Sequence, residues 1–201
     1  PDAPPAAVTA LVPLRTGGKS RLGAALDAPS RAGLVLAMLD DVLAALHAAG
    51  VIDVRVLASG DEALAAAHAR DLPAVPDPPS SGDGAAGDAL LRRAVDAGLA
   101  AVPSDRDRLV VAGDLPLLSA AEVTMVLDVA SDVVVVPTSG GGTALLRLAP
   151  GVDLGPQQGT RYGPGSAEAH VALARRAGRT VTLLELSGAH HDVDSAADLA
   201  A

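Results

Sequence analysis

Cysteine, tryptophan and phenylalanine are absent from these 201 residues, and tyrosine and lysine occur once each, as Tyr162 and Lys19. Without cysteine there is no disulfide framework, no thiolate zinc site and no cysteine nucleophile, and a reducing cytoplasm is the expected location. A single aromatic ring cannot supply the stacking platforms that single-stranded nucleic acid needs, and a formal charge of −9 gives no field to hold a phosphate backbone. Nucleic acid is therefore not an expected partner. The best candidate for a membrane span, Gly33 to Gly50, is broken by Asp40 and Asp41, short of the run of about 18 apolar residues required. The opening PDAPPAAV also lacks a basic n-region, so no membrane or secretory signal is expected.

What remains is a chain rich in leucine, valine and alanine, 49% hydrophobic, whose length argues for one domain over residues 1–201. Aliphatic side chains can build such a core, since each fully buried leucine or valine contributes about 1.5–3 kcal/mol. Short β-rich runs alternate with helical patterns, the mark of an α/β domain with a parallel sheet. Strands are predicted over Val8 to Leu14, Val51 to Ala58, Leu72 to Val75, Leu109 to Ala112, Asp132 to Pro137 and Thr180 to Leu186, with an antiparallel one from Thr143 to Leu148. Helices are predicted over about Pro29 to Ala48, Asp61 to Arg70, Asp88 to Ala101, the segment following the Ser119 and Glu122 capping pair, and Ala167 to Ala177. The closing HHDVDSAADLAA reads as a short helix, whereas Pro76 to Gly87 and GVDLGPQQGTRYGPGS read as loops.

In an open α/β sheet ligands bind beyond the carboxyl ends of the strands, and the chemically distinctive residues fall there. Arg15, Lys19 and Arg21 follow the first strand in a glycine-containing turn, which suits either a phosphate site or a solvated basic turn. The spacing is not that of a Walker loop. Asp114 follows an apolar strand, where a carboxylate can ligate a hard cation or cap the next turn. Asp192 and Asp194 share a face if extended and could complete a metal site, although Asp194 with Ser195 also suits a helix cap. His190 and His191 read as loop residues, because hard cations prefer oxygen. Gly140 to Gly142 ahead of Thr143, and Gly163 with Gly165 ahead of Ser166, offer two turns able to hold small anions.

The ordered set VPLRTGGKSRL, VVAGDLPLL, GGTALLRL, YGPGS with His170, and DVDSAADL resembles the 2-phospho-L-lactate and phosphoenolpyruvate guanylyltransferases of coenzyme F-420 biosynthesis, across essentially the whole chain. The resemblance implies a three-layer α/β fold of the nucleotide-diphospho-sugar-transferase type, Rossmann-like, with a mostly parallel central sheet. It implies GTP and Mg²⁺, and transfer of GMP to the phosphate of a three-carbon acid with release of pyrophosphate. It places Arg15, Lys19 and Arg21 on the GTP phosphates, with Lys19 and Asp114 as the catalytic pair. Asp114, Asp192 and Asp194 match the metal acids, and Thr143, Gly163 and Ser166 the acceptor site. Tyr162 stands where a phenylalanine is frequent, and Gly87-Asp88 replaces a more usual Leu-Asn.

The residues agree with that chemistry. GTP carries about −4 and phosphoenolpyruvate about −3, so joining them in an acidic protein calls for strong local cations. A divalent metal would supply them. The nucleophile is already an anion, so no side-chain base is needed. Molybdenum-cofactor guanylyltransferases are the nearest rival, but an LAGG-type loop is usual there and this chain has LVPLRTGG. A non-catalytic nucleotide-binding domain is the rival from another class, and Lys19 with the three acids argues against it. The alanine- and arginine-rich composition points to a GC-rich genome, which favours phosphoenolpyruvate over 2-phospho-L-lactate as the expected acceptor. A homodimer is compatible with the sequence.

Overall fold

Four consecutive valines, Val133 to Val136, can all be buried only in a strand covered on both faces, and in the computed structural model all four have no exposed surface. Residues 7–17, 19–77, 87–154, 159–190, 192, 193, 195 and 198 are described. The strands are β1 (Val8–Leu14), β2 (Asp53–Ala58), β3 (Ala74–Pro76), β4 (Asp107–Val111), β5 (Val133–Pro137), β6 (Thr143–Leu148) and β7 (Val181–Leu183). They form one sheet in the order β3-β2-β1-β4-β6-β5-β7. Every pairing is parallel except those of β6, which runs antiparallel to both β4 and β5. The expected mostly parallel sheet is thus present, with Thr143 to Leu148 as its single reversed strand.

Helices cover both faces. Helices α1 (Ala28–Ala48), α2 (Asp61–His68), α4 (Ala120–Asp128) and α6 (Ser187–His190) pack with Val12, Val56, Leu109 and Val134. Helices α3 (Asp88–Ala100) and α5 (Ser166–Arg176) pack with Leu11, Leu57, Val110 and Val135. Successive strand residues thus alternate between two aliphatic cores, as the period-two geometry of a strand demands. Local chemistry sets the helix starts. Asp27 accepts from the Ser30 N–H at 2.8 Å ahead of Pro29, and Ser119 and Glu122 form the expected reciprocal capping box.

Several boundaries differ from the sequence reading for identifiable reasons. β4 begins two residues early because its two charged residues are buried with partners. Arg147 on β6 binds Asp107 at 2.6 Å, and Arg108 donates to the Val152 carbonyl. Val51 and Leu72 belong to helix ends rather than strands, since their N–H groups donate to Leu46 and Ala67 carbonyls. β7 covers only Val181–Leu183, pairing with β5 alone at the sheet edge. His190 closes α6 instead of lying in a loop, and its carbonyl accepts from the Ser139 N–H at 2.8 Å. The helix expected in HHDVDSAADLAA falls largely outside the described residues, as do residues 78–86 and 155–158 of the two long loops. No helix among the described residues is long and apolar enough to cross a membrane.

Candidate active site

The chain runs one way across the sheet from β1 to β3 and the other way from β4 onward, so a crevice opens where β1 and β4 lie side by side. A cavity of about 620 Å³ sits there. Arg15, Lys19, Arg21, Asp114, Thr143, Gly163, Ser166 and Asp192 all line it. The fold therefore gathers all the described site residues read from the sequence; Asp194 lies outside the described residues.

One wall comes from the loops after β1 and β4. Lys19 adopts φ +60°, a left-handed conformation that is costly for a residue with a side chain, and opens a single 3-10 turn over Ser20–Ala24. This turn stands where the sequence suggested only a polar connection. The Lys19 ammonium is bound to the Asp114 carboxylate, the two side chains being 10% and 28% exposed. Gly113 makes that approach feasible. A Cβ there would lie 3.0 Å from the Pro13 carbonyl oxygen and 3.4 Å from Val12 Cγ1, so any larger residue would push the ends of β1 and β4 apart. Arg15 reaches Ser59 Oγ at 3.4 Å, at the end of β2.

The opposite wall comes from the β5–β6 turn and the start of α5. Thr143 Oγ1 lies 3.0 Å from Ser166 Oγ and 2.9 Å from His170 Nδ1, all three residues being buried. The Arg161 backbone N–H donates to His170 Nε2 at 2.8 Å. Burial, with the Arg161 guanidinium nearby, pushes the His170 imidazole down to about 4, so it is neutral at pH 7. Tyr162 meets the His170 ring edge to face at 5.2 Å, and burial of its hydroxyl near Asp96 pushes the phenol up. Gly163 has φ +120°, and a Cβ on it would stand 2.5 Å from Asp88 Oδ2, so glycine is required there. The two glycine turns read separately from the sequence are one structure, joined by the Ala167 N–H donating to the Gly141 carbonyl at 3.3 Å.

The tail closes the lip. Glu122 accepts from the Gly188 N–H at 2.6 Å, and the Val193 N–H reaches the Asp114 carbonyl at 3.4 Å, which brings Asp192 to the cavity. Sequence reasoning gave no role to Asp77 and Asp88, which also line the cavity, or to Gly113. His170 entered only through the resemblance. Its position four residues after Ser166, one turn along the same helix face, was the available signal.

Among the described lining residues the charged groups are Arg15, Lys19 and Arg21 against Asp77, Asp88, Asp114 and Asp192, an excess of one negative charge. No three carboxylate or histidine groups among the described residues form a ready metal cage. Asp114 and Asp192 do share the cavity, and a magnesium ion takes one or two carboxylates when phosphate oxygens complete its shell. The donor set therefore fits magnesium accompanied by a phosphorylated substrate.

The family model described as Guanylyl transferase CofC like matches residues 8–201. The chain belongs to this guanylyltransferase family. A phosphoenolpyruvate guanylyltransferase of Roseiflexus castenholzii is 38% identical over 194 residues, covering 94% of this chain and 85% of that protein. A 2-phospho-L-lactate guanylyltransferase of Methanothermobacter thermautotrophicus is 32% identical over 195 residues, covering 94% and 81%. In fold, the family member is similar to a nucleotide-diphospho-sugar transferase of Desulfovibrio desulfuricans, with a TM-score of 0.67 over 96% of this chain and 85% of that one. At 16% identity that likeness speaks for the α/β architecture alone.

Proposed function

We propose that this guanylyltransferase transfers GMP from GTP to the phosphate of phosphoenolpyruvate, giving enolpyruvyl-diphospho-guanosine and pyrophosphate, in the biosynthesis of coenzyme F-420. The observation that carries the proposal is the single cavity into which the cationic loop after β1 and the hydroxyl-lined turn before α5 both open. A phosphate oxygen of the acceptor attacks the α-phosphorus of GTP, and the bond from that phosphorus to the bridging oxygen breaks. Pyrophosphate leaves with the electron pair. In-line transfer of this kind asks the protein for positioning and charge stabilisation rather than covalent chemistry.

The cavity's own residues divide those tasks. Lys19, Arg15 and Arg21 face the triphosphate and steady the departing pyrophosphate. Thr143, Gly163 and Ser166 hold the acceptor acid at the start of α5, where hydroxyl groups and the helix dipole favour an anion. Two substrates bringing about seven negative charges cannot be neutralised by three cations among four carboxylates. Magnesium held by Asp114 and Asp192 would supply that missing charge and polarise the phosphate oxygens. With no phenylalanine or tryptophan in the chain, guanine must rest on aliphatic walls and polar groups such as those flanking Leu90 and Leu91.

Phosphoenolpyruvate is preferred on the name of the Roseiflexus relative and on composition. The test is pyrophosphate release from GTP and Mg²⁺ with either acid. Phosphoenolpyruvate-dependent release is expected; no release with either acid would sink the reaction, and a clear win for 2-phospho-L-lactate in competition would reassign the acceptor.

A further inference from the structure

The buried Thr143, Ser166 and His170 chain has a proton direction set at its histidine end. The Arg161 N–H has no alternative but to donate, so His170 Nε2 offers its lone pair. In a neutral imidazole the proton must then sit on Nδ1, which donates to Thr143 Oγ1. The Thr143 and Ser166 hydroxyls bring two more protons, and their mutual contact at 3.0 Å uses one of them. One hydroxyl proton is left over. Thr143 and Ser166 both line the cavity, so that proton is available to whatever anion sits there.

With the opposite tautomer the count changes. Nδ1 would accept from Thr143, Thr143 would in turn accept from Ser166, and both hydroxyl protons would be spent internally. Oxygen lone pairs alone would then face the cavity, and these repel an anion.

We propose that His170 is a positioning residue that fixes the proton direction of the Thr143 and Ser166 pair, so that the pair presents one O–H donor to the phosphorylated acceptor acid. This rests on the proposed function for the identity of the anion and on the geometry alone for the proton direction. The low pKa caused by burial keeps the imidazole neutral through the pH range of any ordinary assay.

Two measurements test it. Nitrogen-15 NMR of the imidazole rings in the full chain at pH 7, with the His170 signal assigned by its loss in His170→Asn, reads the tautomer without any substrate. A protonated Nδ1 and bare Nε2 are expected, and the reverse overturns the proposal even if the guanylyltransferase reading stands. The second measurement is the KM for phosphoenolpyruvate against that for GTP. His170→Asn keeps an N–H donor toward Thr143 and is expected within about threefold of wild type. His170→Asp offers only acceptors, reverses the chain, and is expected to raise the acceptor KM about tenfold or more while moving the GTP KM less than about threefold. In a Thr143→Val background, where the hydroxyl that couples residue 170 to the pair is gone and Ser166 keeps its own proton for the anion, the Asp effect is expected to shrink to under about threefold. An undiminished effect there would mean that the added charge acts directly and would overturn the relay. If the wild type releases no pyrophosphate with either acid, the proposed reaction fails and the tautomer alone decides the relay.

Discussion

On one side of the cavity Lys19 and Asp114 hold each other as an ion pair at the ends of loops, on a backbone bent into the left-handed region; on the other, Thr143, Ser166 and His170 hold each other as neutral, buried dipoles braced by β6 and α5. The first arrangement is dissatisfied once substrate arrives. In the proposed reaction Lys19 would exchange Asp114 for phosphate oxygens and Asp114 would exchange Lys19 for metal, each trading one charge partner for another. The second arrangement has nothing to exchange, because its internal bonds leave one donor over. A site that joins two polyanions thus keeps its charges mobile where the bond breaks and its dipoles fixed where the acceptor must be aligned.

The sharpest way to break that contrast is to remove the mobile charges. Asp114→Ala is expected to lower turnover by about a thousandfold, a loss typical of removing a principal electrostatic group, while the protein stays folded because Asp114 is partly exposed. Pyrophosphate release and thermal melting read the two effects, and unchanged turnover would remove Asp114 from the reaction. Lys19 comes next, with Lys19→Ala and Lys19→Gly both expected to cost about a hundredfold in turnover. They should differ in stability. Glycine relieves the left-handed conformation at φ +60°, so Lys19→Gly should exceed Lys19→Ala by about 0.5–1 kcal/mol in urea unfolding. Equal stabilities would mean that the strain at Lys19 is not what distinguishes this wall.

That strain also shows where the sequence stopped being legible. The sheet could be read because Val133 to Val136 and Thr143 to Leu148 have no other means of burying their side chains, and the reversal of β6 followed from a short glycine turn between them. Most residues of the candidate cavity could be read because open α/β sheets form their crevice at the carboxyl ends of the strands, so Asp114 and Lys19 stood out by position. A left-handed lysine could not be read, since lysine has no preference for that region and its contact with Asp114 comes from a segment distant in sequence. Nor could the start of β4, because Asp107 and Arg108 look solvent-facing until Arg147 and the Val152 carbonyl are brought across from distant segments. His170 hides for a related reason. A histidine on a helix face gains its function from a backbone N–H at Arg161 and a hydroxyl from β6, and neither partner lies on its own helix.

A smaller perturbation tests whether the charged wall depends on exact spacing while its charges are intact. Gly113→Ala places a methyl 3.0 Å from the Pro13 carbonyl oxygen, tighter than ordinary contact. The ends of β1 and β4 must yield, carrying Lys19 and Asp114 apart. Turnover is expected to fall about tenfold through misplacement, with a stability loss of about 1–2 kcal/mol from overpacking. The KM for the acceptor should hold, because Thr143 and Ser166 sit on other elements. A rise in that KM as large as the fall in turnover would show that the two walls move as one body.

The least effect is expected from a carboxylate that builds rather than reacts. Burial opposes its ionisation, yet the N–H groups of Gly188 and Ser119, with the Ser119 hydroxyl, hold the Glu122 carboxyl below its ordinary value of 4.5. A group whose pKa is lower folded than unfolded stabilises fully above the unfolded value, and that contribution is lost as pH falls through the folded one. Glu122→Gln replaces one accepting oxygen with an NH₂ group. Wild type should therefore exceed the variant by about 1 kcal/mol at pH 7, the size of a capping contribution, and the gap should close as the pH falls below 4.5. Urea unfolding at several pH values reads this directly. A gap that persists unchanged into acid would mean that Glu122 acts through shape rather than charge, since a protonated carboxyl and an amide would then have to differ as much as a carboxylate and an amide do.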